Sequence, residues 1–325
     1  MVLADGRRDG LLAYPRKMSL GYNSWGLAGE ADKGGFMPAR FCVLASGSAG
    51  NCAFLQTDGF GLLIDPGLGP RYVAARLATV GASWRDVHGV VLTHTHSDHW
   101  KDLTLGHLIR LGVPLYCSPR HHRGLTRYGG YFEALVAAGL VRPIHGAEPV
   151  ELRAGLVCRP VLVPHDSDPT YAFRIDGPPG LFGPQWSLGY ASDLGAARPD
   201  LVEAFADVNV LAIEFNHCER MERASGRPRF LIQRVLGDDG HLSNRQAADA
   251  VAQVVRESAA GSLKHLVQLH LSRDCNTPAL AAAAGRAALA EAGSSAAVTT
   301  AQQYHASHVI SLGSDFKRVR PTVPA

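Results

Sequence analysis

The segment His94-Thr95-His96-Ser97-Asp98-His99 constrains this chain more than any other. It directly follows residues 88–93 (HGVVLT), a β-branched apolar run that reads as a strand. Only 15 of the 325 residues are histidine, so three of them beside an aspartate in one short loop is a concentration that composition does not produce by itself. Neutral imidazole nitrogens and carboxylate oxygens are the donors a borderline-soft divalent ion prefers. In an extended loop His94 and His96 can point the same way, while Asp98 and His99, around the next bend, can face a second ion.

The bland alternative is a solvated, histidine-rich turn, and the rest of the chain weighs against it. His165 follows an apolar strand at 157–163, Asp193 one at 187–191, Glu214 one at 208–213 and His270 one at 265–269. Each stands just past a carboxyl strand end, where open α/β sheets place their sites. A lone histidine there is more often solvated or capping. Four such placements beside the cluster reverse that reading.

Further strands are expected at 40–45, 52–57, 60–65, 113–117 and 170–175. Between them lie helical periods. Pro70 opens one that Gly81 closes, with Val73, Leu77 and Val80 on one face. Asp102 begins a second that ends at Gly112, and a third over 131–138 stops at Gly139. Ser243 and Gln246 form a capping box that opens a helix with Ala247, Val251, Val254 and Val255 on one face. Thr277-Pro278 starts the last helix, which runs to about 292. The fold class is therefore α/β, sheets covered by helices in one domain.

At 46% apolar and 19% charged residues, the chain is neither disordered nor collagen-like nor a coiled coil. Its apolar runs fall far short of the roughly 20 residues of a membrane-spanning helix, so no membrane partner is expected. A net charge of +3 is too mild to announce nucleic acid by itself. Six cysteines without a CxxC pair read as reduced thiols of a cytoplasmic protein. Cys218 and Cys275 read as spectators, and His121-His122 as a surface pair. Residues 1–36, broken by glycine and charge and without a secretory signature, read as a disordered extension. The folded domain is expected over 37–325, with Met37 just before the first strand.

HTHSDH with the downstream His165, Asp193 and His270 resembles the five-part metal motif of the metallo-β-lactamase fold, over roughly residues 40–275. The resemblance implies an αββα sandwich and two divalent ions, Zn or Mn. It implies that His94, His96 and His165 hold one ion, that Asp98, His99 and His270 hold the other, and that Asp193 bridges them. Asp193 counts against the true β-lactamases of this fold, and Thr95 against the flavodiiron site. The 77 residues from Asp193 to His270 are too few for the inserted domain of the β-CASP nucleases.

ASGSAGN at 45–51, Glu214-Phe215-Asn216-His217, GHLSN at 240–244 and HLSRDCN at 270–276 resemble the YycJ-type group, also called WalJ, whose known activity is a DNA exonuclease. Cys218 stands where that group usually carries Asp, and its basic residues are partly kept as Arg229 and Arg234, with Ile232 at one expected basic position. GHLSNRQAADAVA also resembles the ribonuclease Z segment in which a histidine, paired with a glutamate, protonates the leaving oxygen. Here that pair is His241 and Glu214. The catalytic residues implied are thus Asp98, His241 and Glu214, Asp98 from within the metal set.

Two such ions lower the pKa of a shared water from about 15.7 to about 7 and stabilise charge building on phosphorus. The expected function is a dinuclear metal hydrolase, a phosphodiesterase or nuclease acting on nucleic acid, DNA first. The alternative is a small-molecule hydrolase of a thioester, lactone or cyclic phosphodiester; a metal-binding regulator without turnover is a third. Arginine or lysine at the pocket mouth favours the nuclease, and an enclosed apolar pocket favours the small-molecule enzyme. The glycine-rich Ser46-Gly47-Ser48-Ala49-Gly50 reads equally as a turn needing positive φ and as a substrate-facing loop.

Overall fold

The computed structural model describes residues 38–313, apart from Tyr128, Asp168 and Phe182. The extension expected over 1–36 and the start at Met37 lie outside the described residues.

The chain opens with three antiparallel strands, β1 (Ala39–Ala45), β2 (Cys52–Thr57) and β3 (Phe60–Ile64). It then alternates through α1 (Pro70–Thr79), β4 (Gly89–Val91), α2 (Asp102–Leu111), β5 (Leu115–Cys117), α3 (His122–Arg127), α4 (Tyr131–Ala137) and β6 (Val141–Pro143). These crossovers make β3 to β6 parallel neighbours. A second sheet starts with β7 (Val150–Arg153), β8 (Leu156–Val163) and β9 (Thr170–Asp176), antiparallel throughout. A small hairpin of β10 (Pro179–Gly180) and β11 (Gly183–Pro184) leads to β12 (Ser187–Ala191). After it come α5 (Pro199–Ala204), β13 (Val210–Glu214), α6 (Glu219–Arg223), α7 (Arg229–Leu236), α8 (Asn244–Glu257), β14 (His265–Leu269), α9 (Pro278–Glu291) and β15 (Ala297–Thr300). Finally β16 (Ile310–Leu312) returns to pair with β1. The sheet orders are β16-β1-β2-β3-β4-β5-β6 and β15-β14-β13-β12-β9-β8-β7.

The inner faces of the two sheets meet in one core, Phe41, Leu55, Leu62 and Ile64 from the first against Phe173, Ile175, Tyr190 and Val267 from the second. Each such fully buried apolar side chain contributes about 1.5–3 kcal/mol. The outer face of the second sheet presents Leu211, Ile213 and Leu266 to Leu201 and Phe205 around α5, Val251 and Val254 of α8, and Ala281 and Leu289 of α9. Sheets inside and helices outside make the αββα sandwich expected from the sequence. Among the described residues, no helix is long and apolar enough to cross a membrane.

All ten strands read from the sequence are present, and the helix stops fall where expected: Gly81, Gly112 and Gly139 have φ of 72°, 69° and 66°. Ser243 and Gln246 make the reciprocal capping box. The pair His121-His122 needs correction. His122 is exposed and faces Glu133 at 3.1 Å, but His121 is buried, with Nε2 donating to the Pro169 carbonyl at 2.9 Å. Pro119 and the short turn before α3 fold that ring inward.

Candidate metal centre

Six strands end at one rim of the sandwich, and each delivers a polar side chain there: Asp65 after β3, His94 to His99 after β4, His165 after β8, Asp193 after β12, Glu214 at the end of β13 and His270 after β14. Tyr171 N–H donates to the Thr93 carbonyl at 3.1 Å, pinning the two sheets together at this rim. The chain leaves three of the strands in the left-handed region, Asp65 at φ 60°, Asp193 at 57° and His270 at 53°. A non-glycine residue held there costs on the order of 1–3 kcal/mol, and such residues gather where function requires them. Gly67 is obligatory for a different reason. A Cβ there would lie 1.9 Å from the Asp98 carbonyl oxygen and 2.5 Å from that of Asn51.

The hydrogen bonds around the imidazoles decide which nitrogens face the other candidate ligands. His99 donates Nδ1–H to Asp65 at 2.7 Å, and Thr93 donates its hydroxyl to the same carboxylate at 2.9 Å. With that hydroxyl proton engaged, Thr93 Oγ1 accepts from His94 Nδ1 at 3.0 Å. His165 donates Nδ1–H to the Gly240 carbonyl at 2.9 Å. His270 Nδ1 lies 2.9 Å from both Asp193 and Glu214. In all four rings Nε2 is therefore the nitrogen turned toward the other candidate ligands, that of His99 lying 2.5 Å from Asp193 and that of His270 3.4 Å from Asp98. His96 is turned the other way, Nε2 toward Asp166 at 3.4 Å and Nδ1 facing His165 Nε2 at 3.2 Å.

This pattern fits a metal. Second-layer acceptors that fix the tautomer of an imidazole are the usual accompaniment of metal-ligating histidine. His94 Nε2 is buried and has no hydrogen-bond partner among the described residues. His96 Nδ1 and His165 Nε2 face each other at 3.2 Å, close enough for both to turn toward one cation. Among the described residues, ligand atoms within 4.8 Å of one another form four overlapping groups: His94-His96-His165, His94-His99-Asp193, Asp98-His99-His270, and Asp193-Glu214-His241-His270. The seven ligands expected from the sequence are thus brought together, with Asp193 shared between groups. Glu214 and His241 adjoin them, His241 Nδ1 at 2.8 Å from Glu214 and 3.3 Å from Asp193.

Electrostatics of the ion-free centre follow from burial and crowding. Burial pulls the imidazolium forms of His94, His96 and His165 below their usual range. Burial also disfavours His99 as a cation, but Asp193, Asp65 and Asp98 outweigh it and push it up to about 10. For Glu214, burial raises the carboxyl, yet the charge and hydrogen bond of His241 and that of His270 bring it down to about 2. Asp193, opposed by the same burial, is held well below the carboxylate range by His270 and His99. Asp98 is likewise lowered, burial being outweighed by His99 and His270, whereas burial raises Asp65 despite its bonds to His99 and Thr93.

Beside His241 and His270 opens a cavity of about 140 Å³, lined also by Ser48, Asn216, Arg227, Ser272, Arg273 and Asp274. Ser48 lies on the glycine-rich loop, whose Gly47 and Gly50 have φ of 139° and 155°. That loop is therefore both a positive-φ turn and a wall of the cavity. Cys218 and Cys275 are free thiols and belong to none of the four ligand groups.

Sequence reasoning passed over Asp65, Thr93, Asn51 and Asp166. Asp65 ends a strand just as the other site residues do, so the same rule finds it. Asn51, within the ASGSAGN segment, donates Nδ2 toward Asp98 at 3.2 Å, lies 2.9 Å from His99 Nε2 and accepts from Gly47 N at 2.8 Å.

The family described as the beta-lactamase superfamily domain matches residues 61–261. This chain belongs to that superfamily. Exodeoxyribonuclease YycJ of Bacillus anthracis is 31% identical over 252 residues, 75% of this chain and 87% of that protein. Exodeoxyribonuclease WalJ of Streptococcus pneumoniae is 27% identical over 245 residues, 74% of this chain and 85% of that protein. A solved diphosphatase from the PhnP family superposes with a TM-score of 0.56 at 18% identity, covering 85% of this chain and 99% of its own, and shares the fold.

Proposed function

We propose that this superfamily hydrolase is a phosphodiesterase with two divalent ions, Zn or Mn, acting on nucleic acid as a DNA exonuclease. The observation that carries the reading is the His241–Glu214 pair, held at 2.8 Å against the ligand cluster and opening on the arginine-bearing cavity. His94, His96 and His165 would hold one ion, Asp98, His99 and His270 the other, with Asp193 between. When bound, such a pair supplies Lewis acidity toward a phosphoryl oxygen and a nucleophile at neutral pH.

The rest is the work of side chains. Glu214 takes His241 Nδ1–H, so Nε2 is the nitrogen left for the substrate. A proton carried there goes to the leaving oxygen as the ester bond breaks. Arg227 and Arg273 bring positive charge to the cavity that receives the phosphate. Arg227 is itself held by Glu222 at 3.1 Å and Asp274 at 2.8 Å. Only Val235 and Leu271 among the lining residues are apolar, which supports a phosphate ester over a small apolar ester. The names of the curated relatives support DNA.

The test is a substrate panel on metal-stripped protein with Zn or Mn added back: linear DNA, RNA, bis-p-nitrophenyl phosphate and a thioester. Metal-dependent release of nucleotides from DNA is expected. Turnover of the thioester alone would replace this reading with the small-molecule hydrolase.

A further inference from the structure

Helix α7 stands at the lip of the centre. Its last turn supplies Val235 to the cavity that His241 and His270 line. From the same turn Arg234 donates Nε to Asp166, whose other oxygen lies 3.4 Å from Nε2 of both His96 and His165. Four residues earlier, on the same helical face, Phe230 is 72% exposed. The exposed face around it consists of Arg229, Gln233 and the half-exposed Arg234. Phe230 has no ring partner and Arg229 no ion pair among the described residues.

We propose that Phe230 is a stacking platform for an unpaired base of a nucleic-acid strand, whose backbone Arg229 and Arg234 guide toward the reaction centre. The proposal rests on the phosphodiesterase reading and narrows its substrate. An exposed aromatic ring on a helix that also exposes Arg229 and Arg234 fits a polyanion that carries flat π faces, and every base has one, so stacking tolerates any sequence. A base within an intact duplex has both faces covered, so the strand reaching Phe230 is single or frayed. A cavity of about 140 Å³ holds only a fragment of a nucleotide. A ligand that also reaches Phe230, a helical turn of about 5.4 Å before Arg234, is therefore polymeric.

The experiment measures binding of labelled oligothymidylate, and of an abasic oligomer of equal length, by fluorescence anisotropy on protein stripped of metal by EDTA. Phe230→Ala should weaken oligothymidylate binding about 10- to 100-fold, leave abasic binding unchanged, and leave metal-restored hydrolysis of bis-p-nitrophenyl phosphate at the wild-type rate. Phe230→Trp should restore affinity, and its added indole fluorescence should be quenched by oligothymidylate. Wild-type affinity in Phe230→Ala, or equal losses on both oligomers, overturns the platform while leaving the nuclease reading intact. A wild-type protein that neither binds nor cleaves any oligonucleotide overturns both.

Discussion

Asp65 acts on the centre without facing the substrate. Buried, it takes His99 Nδ1–H at 2.7 Å and the Thr93 hydroxyl, and through Thr93 it also sets the ring of His94. Asp65→Ala should therefore weaken metal binding by about 10- to 100-fold, read by competition with a chromogenic chelator. Unchanged affinity would mean that the two rings hold their tautomers unaided. His241 is expected to behave differently. If it protonates the leaving oxygen, His241→Ala should slow cleavage of DNA by roughly 10²–10⁴-fold. Hydrolysis of bis-p-nitrophenyl phosphate, whose leaving group departs without a proton, should fall much less, with metal content near wild type. The group Asp193-Glu214-His241-His270 makes that last readout decisive, because loss of metal would make His241 a ligand.

At the scale of elements, the site depends on how strands and helices are held in register. Asp176 ties β8, β9 and β12 together, accepting from Ser187 at 2.7 Å, Arg174 at 2.8 Å and Arg159 at 2.9 Å. Burial raises its carboxyl, but Ser187, Arg174 and Arg159 more than offset this and hold it below the usual range. A carboxyl depressed on folding stabilises above the unfolded value of about 3.9, and that stability is lost as pH falls through the folded value. Asp176→Asn should thus cost about 2 kcal/mol at neutral pH, a gap that closes as urea titrations move below about pH 4. A gap independent of pH would assign the loss to packing. Ser243→Ala, which removes the cap of α8, should cost about 1 kcal/mol in the same assay. That cap was legible because Ser-x-x-Gln precedes a helical period, and the strand ends were legible because long apolar runs stop at a polar residue. The short edge strands β6, β7, β15 and β16 were not, since three or four residues carry no period of their own and pair only because a neighbouring edge is open. Nor was α7, whose exposed Phe230 and partly exposed Leu231 and Ile232 blur the helical face.

For the whole molecule, the two sheets contribute unequal halves of one centre. The first supplies Asp65 and the residues from His94 to His99; the second supplies His165, Asp193, Glu214 and His270. Ions bound between them would clamp the sandwich at its rim, so chelation should lower the thermal midpoint. A ligand at a hundred times its Kd contributes about 2.7 kcal/mol to the folded state. Which ligands came from which sheet was not legible from the sequence, because strand order depends on crossovers that no local pattern encodes. The most direct test is a titration of stripped protein with Zn or Mn, following bound metal and bis-p-nitrophenyl phosphate hydrolysis in the same samples. Activity should rise to its maximum as occupancy reaches two ions per chain, and His96→Ala should reach neither. Full turnover by stripped protein, or full occupancy in His96→Ala, would contradict the dinuclear centre.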